Sequence, residues 1–90
     1  MSAEVNEHDR EEKALLAIIE MLVDAPDQVK LESTVTKHSA VFDIHVADAD
    51  VGKVLGKKGI HAHALRTLFG AIYGKLGKRL HLQVVDPRRV

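Results

Sequence analysis

Two lysines held between two glycines, Gly56-Lys57-Lys58-Gly59, are the residues of this chain best suited to chemistry, and the chemistry is capture of a phosphate. Glycine leaves the main chain uncovered, so an anion can approach its amides, while lysine adds a mobile point charge. The residues after Gly59 repeat with helical spacing, which turns the positive end of a helix dipole toward the same loop. Val54 and Leu55 before the loop and Ile60 after it predict an apolar floor for bases beside the phosphate clamp. Arg66, seven positions after Gly59, falls on the side of that helix nearest the loop. There it either reaches a phosphate or base edge or pairs with an acid such as Asp50.

Rival chemistries fail on residue type or spacing. Gly52 is followed by Lys-Val-Leu-Gly-Lys-Lys, so a Walker A loop lacks both its second glycine in position and the Ser or Thr after its lysine. No dinucleotide GxGxxG occurs, no nucleophile sits in a recognisable elbow, and carboxylates avoid the one cleft, so no enzyme is expected. His61 and His63, two apart on a helix, point to nearly opposite sides, and with no cysteine in the chain neither a metal nor any other cofactor is expected. His45 and His81 fall on strands, on the exposed face. Phe42, Phe69 and Tyr73 are too few and too core-like to form a stacking platform for bases.

Charge is balanced, with 13 basic and 13 acidic residues, but it is not evenly spread. Residues 1–50 hold twelve of the acids and only four of the Lys and Arg residues. From Val51 to Arg79 there is no acid, against Lys53, Lys57, Lys58, Arg66, Lys75, Lys78 and Arg79. That asymmetry predicts one polyanion-facing surface on a solubilising body. The acidic start has neither the basic residues nor the apolar run of a signal peptide, and no stretch could span a membrane, so a cytoplasmic location is expected.

Ninety residues make one domain, with residues 1–8 and 88–90 read as tails around a body at 9–87. Asp9 and Glu12 have capping-box spacing, and Leu15, Ile18, Ile19 and Leu22 then mark a helix to about Val23, ended by Asp24-Ala25-Pro26. Its wide apolar stripe suits core packing, with a surplus that can serve a dimer contact. Val29, Leu31, Ser33 and Val35 alternate as a strand. Across a turn at Lys37-His38-Ser39, Phe42, Ile44 and Val46 alternate as a second strand, antiparallel to the first. Asp48 or Asp50 is expected to cap a short helix of Val51, Val54 and Leu55. After the loop, Ala64, Leu65, Leu68, Phe69, Ile72 and Leu76 predict a longer helix to about Lys75, in which Gly70 and Gly74 imply close backbone packing or a less rigid last turn. Gly77 ends it, and Leu80, Leu82 and Val84 form a third strand parallel to the second, closed by Pro87.

Val54-Leu55-Gly56-Lys57-Lys58-Gly59, followed by Leu65-Arg66, resembles the GXXG core of a KH domain. The likeness covers nearly the whole chain and is nearest to the small single-domain bacterial KH proteins of the KhpA type. The resemblance implies an α+β fold, a single type II KH domain of order α-β-β-α-α-β, with helices packed on one face of a three-stranded sheet. It implies single-stranded RNA as ligand, gripped through Gly56 to Gly59 with Lys53, Val54, Leu55, Ile60, His63 and Arg66 around them. Ala62 and His63 depart from the branched aliphatic residue and the lysine usual at those places. The resemblance further implies a cytoplasmic RNA chaperone or post-transcriptional regulator, acting as a homodimer or paired with a second KH protein. A KH-fold adaptor for ribosome assembly or the cell envelope is the alternative, but it has no need of two lysines between glycines.

Overall fold

Alternation of small and large apolar residues sets the central strand, and the rest of the molecule is assembled on it. A computed structural model of the chain describes residues 9–87. Within them run α1 (Asp9–Leu22), β1 (Lys30–Val35), β2 (Ser39–His45), α2 (Val51–Leu55), α3 (Ile60–Lys75) and β3 (Arg79–Val84). The tails at 1–8 and 88–90, and the cap expected from the Asp9 side chain, lie outside what is described. The sheet has the order β1-β2-β3, with β1 antiparallel and β3 parallel to the middle strand. Element order and strand directions are those the KH resemblance implies.

Ala40, Phe42 and Ile44 of β2 turn inward and are fully buried. Register places Leu31, Ile44 and Val84 in one row across the sheet and Ser33, Phe42 and Leu82 in the next. Leu15 and Ile19 of the first helix, Val23 just after it, and Val54, Leu65, Phe69 and Tyr73 from the others close over this face. Phe42 and Tyr73 meet at a centroid distance of 5.6 Å. Each such buried side chain contributes about 1.5–3 kcal/mol, so a small domain depends on nearly all of them. The opposite face is polar: Glu32, Asp43 and Gln83 share a row, and the Gln83 amide donates to Asp43 at 2.8 Å. His45 and Glu32 lie 2.9 Å apart there, and the contact holds the Glu32 carboxyl below its usual range, with Lys30 assisting.

Three expectations are corrected. The face of α3 that packs is Ala62, Leu65, Phe69 and Tyr73, while Leu68 is 55% exposed and Ala64 also faces out. Gly70 and Gly74 approach no other backbone, since a Cβ at either would meet open space. Asp50 precedes α2 but does not cap it. Its side chain, 2% exposed, accepts the backbone N–H groups of Asp24 and Ala25 at 3.2 and 3.1 Å. It thereby ties the end of the first helix to the start of the second. Gly77 ends α3 as expected. At φ +77° its N–H donates to Gly74 O and that of Lys78 to Tyr73 O, the paired bonds of a Schellman turn.

Candidate nucleic-acid interface

The loop between α2 and α3 is built from backbone conformations that few residues tolerate. Gly56 has φ +77° and ψ 169°, Lys58 lies at φ 57° and ψ 24°, and Gly59 at φ 77° and ψ 17°. Left-handed backbone at Lys58 costs about 1–2 kcal/mol, so the surrounding fold must hold it. Gly59 N–H donates to Gly56 O and Ile60 N–H to Lys57 O. The amide before α3 and the first amide of α3 are therefore already engaged. Both lysine side chains are exposed, with no ion pair among the described residues. Two ammonium groups and the helix dipole thus converge on the loop.

Beside the loop is a recess of about 720 Å³ lined by Lys57, Lys58, Gly59, Ile60, His63 and Arg66. Ile60, 60% exposed, supplies its apolar surface. Arg66 does not pair with Asp50. Its Nε donates to Leu82 O on the open edge of β3 at 2.9 Å, which commits one of five guanidinium N–H groups. The same arginine borders a second recess, of about 540 Å³, along β3 with Leu80, His81 and Gln83. Arg66 thus borders both recesses, the second of which also takes in Val41 and Asp43 of β2.

Other residues singled out in the sequence stand apart from those recesses. Val54 is fully buried and Leu55 half-buried, so the apolar floor expected from them is Ile60 instead, with Val54 fixing α2 to the core. The Lys53 ammonium sits 3.4 Å from Asp24 and 3.7 Å from Asp50, on the α1 side. The acid-free stretch does not form a single surface: Lys75, Lys78 and Arg79 lie beyond the far end of α3, about 22 Å along its axis from the loop.

Weighed in the sequence only as a metal ligand, His61 has a structural role instead. Its Nδ1 lies 2.8 Å from Lys53 O, and because a carbonyl only accepts, Nδ1 carries the proton. The ring thereby caps the end of α2. It also closes over Gly56, where a Cβ would meet His61 Cγ at 2.6 Å and its backbone nitrogen at 2.8 Å. No periodicity announces this contact. Its one trace in the sequence is a polar residue two positions after the loop.

The fold and the glycine loop together define a KH domain. The family model of the KhpA/KhpB KH domain matches residues 12–84, and the chain belongs to that family. It is similar to the RNA-binding protein KhpA of Borreliella burgdorferi, 35% identical over 82 residues that cover 91% of this chain and 100% of the relative. The RNA-binding protein KhpA of Streptomyces coelicolor is 41% identical over 75 residues, 83% of this chain and 94% of that protein. That of Aquifex aeolicus is 39% identical over 77 residues, covering 81% and 98%. No described helix is long and apolar enough to cross a membrane, and no three described His, Asp or Glu side chains group as metal ligands.

Proposed function

We propose that the chain binds single-stranded RNA without covalent chemistry, through the Gly56–Gly59 loop and the groove beside it. The observation that carries this reading is the pair of exposed lysines set at the mouth of a recess, at the N-terminal end of α3. A phosphate meets Lys57 and Lys58, and a base lies over Ile60 with Arg66 and His63 at its edges. Relatives that cover most of the chain bear the name RNA-binding protein, which supports the same ligand. A cytoplasmic chaperone or regulator of transcripts fits a domain that grips only about four nucleotides. Pairing with a second copy or another KH protein then raises avidity through effective concentration. The exposed Leu68 on α3 and Met21 on α1 are available for such a contact.

The test is competition between strands. The groove admits unstacked bases, whereas an A-form duplex hides their edges. Single-stranded oligonucleotides should displace a labelled probe well before a duplex of the same sequence. Equal competition would mean nonspecific adhesion to basic surface.

A further inference from the structure

The cations left over by the loop gather at the other end of the molecule. Lys78 Nζ donates to the carbonyls of Thr36 and Lys37, which pins the β1–β2 turn against the end of α3. Arg79 N–H donates to His38 O at 2.9 Å, and Arg79 pairs in register with Ser39. These bonds bring Lys37, His38, Lys75 and Arg79 to one end, all exposed, with Lys78 beneath them. Neither segment, 36–42 or 74–82, contains an acid. Lys75 also borders a groove with Arg10 and Glu11, where Arg10 holds Glu11 Oε2 at 3.4 Å and the buried Oε1 has no hydrogen-bond partner among the described residues. The negative end of the α3 dipole accounts for Lys75, not for Lys37 or Arg79 on separate elements. Like charges crowded on a neutral chain repel one another unless a polyanion lies across them.

We infer that Lys37, Lys75 and Arg79 form a second phosphate-binding patch, which holds the RNA strand after it leaves the loop groove. The path runs from the loop to Arg66, about 12 Å along α3, then from Leu82 back to Arg79, about 10 Å along β3. The recess at the β3 edge, with Leu80 and His81, bridges the two. Asp43 at that recess is engaged by Gln83. A path of about 22 Å is longer than the roughly four nucleotides at the loop can follow. The site therefore takes a longer tract than the loop alone, which holds about four nucleotides.

This inference rests on the loop reading, and two oligonucleotides separate them. Oligouridines of five and sixteen nucleotides are titrated by fluorescence anisotropy at four salt concentrations. The proteins are the parent, Lys37→Ala/Lys75→Ala/Arg79→Ala, and Lys57→Asp/Lys58→Asp. The triple variant should bind the 5-mer like the parent. For the 16-mer its slope of log affinity against log salt should be shallower by about 2, at about 0.7 for each of three contacts. From about 50 to 200 mM salt the parent then loses about 20-fold more affinity for the 16-mer than the variant does. A triple variant with the parent's slope on the 16-mer, while the 5-mer still needs Lys57 and Lys58, overturns the second patch and leaves that end to an acidic protein surface. A 5-mer that ignores the Lys57→Asp/Lys58→Asp change overturns the loop reading, and this extension with it.

Discussion

Replacing Gly56 by alanine should harm the domain far more than replacing Gly59, although both residues bracket the same lysines and share a φ of +77°. The difference lies in ψ and in neighbours. Gly59, at ψ 17°, is left-handed, a conformation that alanine reaches at about 1 kcal/mol, and its Cβ would enter open space. Gly56, at ψ 169°, occupies a region essentially reserved for glycine, at about 2 kcal/mol for any other residue. Its Cβ would also lie 2.6 Å from His61 Cγ and 2.8 Å from His61 N, an overpacking of roughly 2 kcal/mol more. At about 4–8 °C per kcal/mol in a domain of this size, Gly59→Ala should lower Tm by about 6 °C and Gly56→Ala by about 20 °C. Thermal unfolding followed by circular dichroism measures both. Adding His61→Ala to Gly56→Ala should restore only part of the loss, because the backbone nitrogen stays where it is. Equal Tm losses for the two glycines would refute this reasoning about the loop.

Asp50→Ala removes the buried, charged acceptor of two backbone N–H groups and should cost about 3 kcal/mol in urea unfolding, whereas a change under about 0.5 kcal/mol would mean that water replaces the carboxylate. Tyr73 is pushed up to about 12 by burial, with the Glu12 and Glu11 carboxylates adding to the shift. The folded protein therefore keeps a phenol proton that the unfolded chain loses above about 10. That contribution to stability is complete below pH 10 and is lost as pH rises toward 12. With one tyrosine and no tryptophan, absorbance at 295 nm follows this group alone, and a midpoint near 10 in the folded protein would contradict its burial.

Strand positions were legible in the sequence because alternation has only two phases, and Phe42 and Ile44 fix which one faces the core. The glycine loop was legible because its composition has few other uses. The packed face of α3 was not. Ala64, Leu65, Leu68, Phe69, Ile72 and Leu76 span more than one stripe, and the sheet selects the one that brings Tyr73 onto Phe42. The fates of Asp50, Lys53 and Lys78 were hidden for a related reason. A charged residue's partner depends on which distant backbone the fold delivers, here Asp24 and Ala25, the Asp24–Asp50 pair, and the carbonyls of Thr36 and Lys37. Charge counted along the chain therefore overstated the loop surface and concealed a second cationic end.

The central claim is that Lys57 and Lys58 hold the RNA backbone, and the Lys57→Asp/Lys58→Asp variant tests it most directly. Both side chains are exposed, and aspartate is among the few residues that enter the left-handed region of Lys58, so the fold should survive with an unchanged melting curve. Two charge-assisted contacts of about 1.5 kcal/mol each amount to about 3 kcal/mol, on the order of 100-fold in Kd. Anisotropy with a single-stranded 5-mer should show at least that loss. A parent-like Kd alongside a parent-like Tm would contradict the account and make the loop no more than a turn between two helices.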